Sequence, residues 1–247
     1  MGVFQKVSTT FRQMTWKEHL VYYILPILVS WTLAFIYFAG SRWMQDLVAH
    51  SYNREFGLLE NLENLLLLLI IIISFTLLRR SVNGTMKIIY VLCLLASLFM
   101  LLEEIDYGFH YWNYFNGIHP QDDPVIHNIH NQGKNTIKIL MWICYAIILL
   151  FIIIMPHVKK DRLPEWIVNF IPSIKLHFTV LAIPLISRMP HILNNMNFET
   201  NQSLYHNLSE FEELAIYYIF FLFFYEMKSR LQGHQLPKPE RIKTTSL

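Results

Sequence analysis

Cysteine and charged residues are scarce in this sequence, as are glycine and proline. Only two of its 247 residues are cysteine, which excludes a secreted scaffold held together by disulfides. Glycine and proline number 8 and 10, too few for a collagen-like or low-complexity chain. Charged residues make up 15% of the chain, whereas a soluble domain carries about 25%. Because 54% of the residues are hydrophobic and the mean hydropathy is +0.34, the composition predicts an integral membrane protein.

Six apolar segments are long enough, or nearly so, to cross a bilayer as a helix of about 20 residues. They predict an all-α bundle of six transmembrane helices in a single domain, residues 19–228. The fifth segment is the weakest because Pro172 and Lys175 interrupt it, and such a helix needs other helices or a wet cavity beside it. The six predicted spans are residues 19–39, 58–78, 86–102, 136–155, 166–187 and 214–227.

The two ends of the chain differ from the apolar segments. In residues 1–18 apolar side chains recur at helical spacing around Lys6 and Arg12, which predicts an amphipathic helix on the membrane surface. No small-residue cleavage site follows a short apolar stretch, so we expect the first span to remain as an anchor. Residues 229–247 are polar and are predicted to form a cytoplasmic tail.

The distribution of basic residues predicts the orientation. When alternate loops are assigned to the two sides, fourteen of the twenty Lys and Arg residues fall on one side and five on the other, with Lys175 inside the fifth segment. Basic residues accumulate on the cytoplasmic side, so both termini should be cytoplasmic, with the protein in a plasma (inner) membrane. Thirteen of the eighteen acidic residues lie on the outer side. Acidic residues contribute little to topology, so their enrichment there needs another reason.

Four polar groups stand at the outer ends of the predicted spans. Residues three or four apart share a face of a helix, so each group can present two or three side chains in one direction. In the second group, Glu103, Asp106 and His110 follow the spacing i, i+3, i+7 and are predicted to form one stripe. The groups are Glu55, Gly57, Glu60 and Glu63 before span two; Glu103, Glu104, Asp106 and His110 after span three; His127, Asn128, His130 and Asn131 before span four; and Glu210, Glu212 and Glu213 before span six.

These groups have the composition of a divalent metal site. Carboxylates together with imidazoles are ligands for zinc, iron or manganese, and a cation would offset the cost of placing carboxylates near a membrane. The predicted metal ligands are Glu60, Glu103, His110, His127, His130 and Glu210. The predicted catalytic residues are Glu104, Glu213 and Asp106, and the predicted substrate-binding residues are Arg188, His191 and Asn131.

Each polar group also has a simpler explanation. The acids before spans two and six suit solvated helix starts, where the macrodipole favours them, and Ser209 with Glu212 fits a capping box. Histidines in a loop are often only exposed, and Arg188 can pair with one of the acids. Glu103 and Glu104 are harder to explain in this way, because they follow an apolar run at the helix end where the macrodipole disfavours acids.

Some of the polar residues fall into short motifs. The motif Glu-x-Gly-x-x-Glu is formed by Glu55, Gly57 and Glu60; Glu-Glu-Ile-x-x-Gly by Glu103, Glu104, Ile105 and Gly108; and Asn-x-His-Asn by Asn128, His130 and Asn131. Together with the late acidic pair Glu210 and Glu213, they resemble a loosely defined family of prokaryotic multi-pass membrane proteins. The sequence departs from that family where Asp106, Tyr107 and Phe109 replace serine, tryptophan and glutamine. The resemblance implies the sites and no particular reaction.

The polar groups favour a membrane enzyme over two other functions. We expect a metal-dependent hydrolase or oxidase that acts on a membrane lipid or another amphiphilic small molecule at the extracytoplasmic boundary. One alternative is a proton- or cation-coupled transporter or channel, with Lys175 and His177 along the path. The other is a non-catalytic membrane subunit whose acidic face binds a partner. No phosphate-binding loop or nucleophile elbow is present, and no basic cluster indicates nucleic acid.

Overall fold

The chain folds into helices. The structure, a computed structural model, describes residues 3–53, 56–81, 83–118, 135–205 and 207–233. In these ranges every regular element is helical and no strand occurs, which confirms the all-α class. The helices are α1 (Val3–Gln13), α2 (Trp16–Ala39), α3 (Arg42–Val48), α4 (Leu58–Arg80), α5 (Gly84–Glu104), α6 (Phe109–Phe115), α7 (Asn135–Ile154), α8 (Glu165–Phe170), α9 (Leu176–Asn194) and α10 (Glu210–Gly233).

Within the described part of the chain, four helices are long and apolar enough to cross a membrane, namely α2, α4, α5 and α9. They indicate a membrane protein. The long helices α7 and α10 coincide with the fourth and sixth predicted spans. The count of six spans and the cytoplasmic placement of both termini stay predictions. The N-terminal segment forms the predicted helix, α1, and its place on a membrane surface likewise stays a prediction.

The start of α4 is fixed by a close approach between two segments. Gly57 precedes the helix, and a Cβ atom at this position would lie 2.7 Å from the Cα of Ala49. Only glycine therefore fits without moving the backbone. Glu60 occupies the first turn, and Arg79 and Arg80 the last, so the charges match the helix macrodipole at both ends. The close approach sets where the acidic first turns of α4 lie relative to the rest of the bundle.

Helix α10 is the centre of the bundle. It packs against α4 and against α9, while α5 packs on α4 and α2 packs on α9. Apolar side chains from the length of α10 fill the core, namely Phe211, Leu214, Ala215, Ile216, Ile219 and Leu222. By contrast, α5 leaves Leu92, Leu95, Leu98 and Phe99 exposed. A large exposed apolar face of this kind is typical of a surface that contacts a membrane.

The fifth predicted span is wrong as a single helix. We expected residues 166–187 to be continuous, but α8 ends at Phe170, Ile171 is extended, and α9 begins at Leu176. Pro172 causes the break, because proline lacks an N–H and disfavours helical geometry at the residue before it. The helix of membrane length is therefore displaced along the chain and ends at Asn194.

Side chains of α10 replace the hydrogen bonds that this break removes. The carboxylate of Glu226 accepts hydrogen bonds from the backbone N–H of Ser173 at 3.1 Å, from the Ser173 hydroxyl, and from the Tyr22 hydroxyl at 2.8 Å. Arg230 donates to the carbonyl of Ile171 and, at 3.1 Å, to Glu226. Irregular backbone inside a membrane domain persists only where such partners are supplied. Glu226 is 8% exposed and serves the fold.

We expect Glu226→Ala to lower the free energy of unfolding by about 2–3 kcal/mol, because it removes several hydrogen bonds to a charged group and leaves half-buried donors without that acceptor. The measurement is equilibrium unfolding in detergent–lipid micelles. Tyr225→Ala is the control, since the neighbouring Tyr225 is 54% exposed. An equal loss in both variants would contradict the role given to Glu226.

Candidate functional site

Three buried carboxylates meet where α4 and α10 begin. Glu60 and Glu63 lie in the first two turns of α4, and Glu210 is the first residue of α10. Their exposed fractions are 2%, 0% and 7%, and each places a carboxylate oxygen within 4.8 Å of the others. The explanation of Glu60 and Glu63 as a solvated helix start does not hold, because water does not reach them.

Glu63 belongs to a larger acidic group. It is fully buried, and neither of its carboxylate oxygens makes a hydrogen bond to any residue that the structure describes. The charges of Glu60, Glu104, Glu210 and Glu213 all act on it. We call these five residues from α4, α5 and α10 the carboxylate cluster. A buried carboxylate is costly unless a cation or a proton compensates for its charge.

Two tyrosines border the carboxylate cluster. The hydroxyl of Tyr217, which is 1% exposed, donates to Glu104, and Tyr145 of α7 hydrogen-bonds with Tyr217. Glu104 stands at the C-terminal end of α5, where the macrodipole disfavours a carboxylate, and the Tyr217 hydroxyl compensates for this. Sequence reasoning missed Tyr217, although it lies four residues after Glu213 and hence on the same face of α10.

A turn with strained backbone follows α5 and changes the geometry of the second polar group. The helix ends at Glu104, and Asp106 and Tyr107 then adopt φ values of 47° and 54°. Left-handed conformations of this kind are costly for residues other than glycine and occur often at functional sites. The predicted stripe of Glu103, Asp106 and His110 is therefore wrong as one helical face, because the helix ends before Asp106.

The turn brings these side chains together in another way. His110 Nδ1 lies 3.9 Å from Asp106 Oδ2 and 3.2 Å from Asn53 Nδ2. Glu103 accepts a hydrogen bond from the Tyr107 hydroxyl, and this bond raises the pKa of Tyr107. Glu103 and Glu104 are successive residues of a helix and therefore point about 100° apart. Glu104 faces Tyr217, whereas Glu103 faces the turn.

The geometry separates the predicted site residues into three sets. Glu60, Glu104, Glu210 and Glu213 belong to the carboxylate cluster, and Glu103, Asp106 and His110 belong to the group around the turn. Arg188 and His191 are exposed on α9 and belong to neither. His127, His130, Asn131 and Glu55 lie outside the described residues. The catalytic, metal-binding and substrate-binding roles of all these residues stay predictions.

The carboxylate cluster offers oxygen donors. Carboxylate oxygens suit hard divalent cations such as magnesium, calcium and manganese, whereas zinc prefers nitrogen and sulfur ligands. Of the three metals expected from the sequence, manganese fits these donors best. Three protein carboxylates also leave coordination positions for water or for a substrate. The cluster is therefore suited to a cation that takes part in chemistry.

Comparison with known proteins gives no further guide to the function. The chain matches no protein-family model, no curated protein and no solved structure. The resemblance to prokaryotic multi-pass membrane proteins therefore stays a prediction, and the function has to be inferred from the geometry of the site.

An apolar side chain in place of Glu63 should stabilise the protein when cations are absent. We expect Glu63→Met to raise the free energy of unfolding by about 1–4 kcal/mol in the presence of a chelator, since replacing buried charge by well-packed apolar groups is often stabilising to this extent. The measurement is equilibrium unfolding in detergent with excess chelator.

Glu212→Met is the matched control for this substitution. Glu212 lies in the first turn of α10, is only half-buried and is not part of the carboxylate cluster. Its substitution should not raise the free energy of unfolding and, where it removes the capping interaction with Ser209, should lower it by about 0.5–2 kcal/mol. A chelated Glu63→Met protein less stable than the wild type would show that the Glu63 carboxylate stabilises the fold, against the prediction.

Proposed function

We propose that this protein is a metal-dependent membrane enzyme whose carboxylate cluster binds a divalent cation and acts on a lipid or another amphiphile at the extracytoplasmic boundary. The observation that carries the proposal is the meeting of Glu60, Glu63 and Glu210 in a buried site, with Glu63 making no hydrogen bond to the described residues. A cation would supply the positive charge that these carboxylates need.

The proposal includes six spans and a site on the outer face of a plasma (inner) membrane. Helices α7 and α10 then form spans four and six. The carboxylates at the start of α10 stand at the outer surface, and Lys228 and Arg230 near its end stand at the inner surface. The excess of basic residues on the side of the termini supports this orientation.

Hydrolysis is the reaction class that the arrangement supports best. A bound hard cation would activate a coordinated water as a nucleophile and would polarise the carbonyl or phosphoryl bond whose carbon or phosphorus atom that water attacks. With Glu60, Glu63 and Glu210 as ligands, Glu104 and Glu213 are left as candidates for the general base. The hydroxyl of Tyr217 holds Glu104 in place. Asp106, the third residue predicted to be catalytic, lies at the strained turn beside His110.

The transport alternative has less support. The broken fifth segment is typical of transporters, which use unwound backbone to bind ions. Here, however, Glu226 accepts a hydrogen bond from the backbone N–H of Ser173, and Arg230 donates one to the carbonyl of Ile171. These backbone groups of the break are therefore not available to an ion. Lys175, a residue of the predicted path, forms an ion pair with Glu18 of α2 instead. These contacts favour a structural role for the break.

Metal analysis tests the proposed cation site. Protein purified in detergent without chelators should carry about one equivalent of a divalent cation. Glu63→Gln and Glu210→Gln should each lose it, because each replaces an anionic ligand by a neutral amide while keeping the size of the side chain. Glu212→Gln makes the same change outside the carboxylate cluster and should retain the cation. A wild-type protein without cation, or full retention by Glu63→Gln, would refute the site.

Enzymatic activity is tested by incubating the purified protein and manganese with a total extract of membrane lipids. Mass spectrometry should show products that the wild type forms and the Glu104→Gln variant forms about 10²–10⁴ times more slowly, the usual effect of removing a general base. The variant should keep its bound cation. If it keeps both cation and rate, Glu104 is not the base. If the wild type forms no product while a partner protein co-purifies, the subunit alternative is favoured.

A further inference from the structure

A groove of about 160 Å³ lies between α2 and α4. The two helices have different principal neighbours, since α2 packs on α9 whereas α4 packs on α5 and α10, and the groove fills the space that they leave. Leu214 and Ala215 of α10 are 6% and 1% exposed and form its floor, whereas Leu65 of α4 is 49% exposed and stands at its rim.

The groove is lined almost entirely by apolar side chains. Of its lining residues, the polar ones are Ser30, which is buried, and Tyr218. The hydroxyl of Tyr218 donates its hydrogen bond to the carbonyl of Val21 at 2.9 Å, so its proton is not available to a ligand in the groove. A polar ligand would lose its hydration here without gaining hydrogen bonds in return, at a cost of several kcal/mol. The lining therefore selects an apolar occupant.

The groove overlaps the carboxylate cluster along the axis of α4, because its lining residue Leu62 lies between Glu60 and Glu63 in the chain. Leu66 follows Glu63 by three residues on α4, and Leu214 follows Glu210 by four residues on α10. Residues at these spacings share a helix face, and one turn advances about 5.4 Å along the axis. A molecule with a long apolar chain in the groove can therefore hold its polar head beside the cluster, whose half-buried members are Glu104 and Glu213.

We propose that the groove binds the acyl chain of a membrane amphiphile and thereby places its polar head at the carboxylate cluster. The inference rests on the proposed function and names its substrate class, a lipid with an acyl chain rather than a water-soluble molecule. Both flanking helices are among those long and apolar enough to cross a membrane. An acyl chain is the apolar molecule that surrounds such helices in a bilayer.

Photolabelling in vesicles tests the groove. The full chain is reconstituted in phosphatidylcholine vesicles that contain a small share of phosphatidylcholine with a diazirine in the middle of one chain. After irradiation, mass spectrometry maps the labelled peptides. We expect labels concentrated at the groove residues of α2, α4 and α10, in excess over the exposed apolar face of α5.

Two variants should obstruct the groove and one should not. Ala215→Leu fills the floor, and Leu65→Trp narrows the rim; each should lose the groove labelling. Leu68→Trp is the matched control, because Leu68 lies on the same helix and is 46% exposed but does not line the groove. It should label as the wild type does. Two obstructing variants are used so that a folding defect in one leaves the other to decide.

Uniform labelling of all apolar helices, or unchanged groove labelling in both obstructing variants, would overturn the proposal. So would a photo-crosslink from position 65 to another polypeptide in native membranes, since a partner helix would then occupy the groove. Metal content is measured on the same samples. Groove labelling in protein that binds no cation would refute the proposed function but not the binding of an acyl chain in the groove. Bound cation without groove labelling would refute acyl-chain binding alone.

Discussion

A carboxylate that is buried among other carboxylates has to be compensated, and the end of the bundle where α4 and α10 begin is organised around this requirement at Glu63. The N-termini of α4 and α10 direct their partial positive charge at the cluster. Each helix end stabilises a carboxylate by about 0.3–1 kcal/mol, whereas an ion taken out of water costs several kcal/mol. The two macrodipoles therefore cover only part of the cost, and a cation or shared protons must cover the remainder.

The second buried carboxylate of α10 shows what a purely structural solution looks like. Glu226 is nearly as buried as Glu210, yet its oxygens are bonded to Tyr22, Ser173 and Arg230. These contacts hold together a break in the fifth segment, so Glu226 needs no ligand from outside the chain. Glu63 has no hydrogen bond of this kind in the described structure. This difference is the physical reason why Glu226 is assigned to the fold and why a binding role is proposed for Glu63.

Local pattern was sufficient for part of this structure. The second and third spans, predicted at residues 58–78 and 86–102, became Leu58–Arg80 and Gly84–Glu104, because long apolar runs bounded by charge and by an Asn N-cap leave little choice. Pro172 marked the weakness of the fifth segment. That the segment would break into two helices could not be predicted from the local sequence, since the groups that stabilise the break come from α10, more than fifty residues later.

The same limit applies to the candidate site. Spacing placed Glu60 with Glu63 and Glu210 with Glu213, because i, i+3 pairs share a helix face. The spacing of Glu103, Asp106 and His110 failed, because a pattern assumes that the helix continues and the left-handed residue Asp106 ends it. Full burial of Glu63 was also beyond local reasoning, since it depends on how closely α4 and α10 pack.

Three features that lower stability lie around the end of the bundle where α4 and α10 begin. They are the Glu63 carboxylate, the acid Glu104 at the C-terminal end of α5, which requires a hydrogen bond from Tyr217, and the left-handed backbone at Asp106 and Tyr107. Local rules of stability are broken mainly at functional sites, because elsewhere an apolar or unstrained alternative would be retained. Methionine at position 63 or glycine at position 106 would serve a purely structural bundle better. The concentration of these three destabilising features around the ends of α4, α5 and α10 is therefore an argument for function that is independent of any similarity to other proteins.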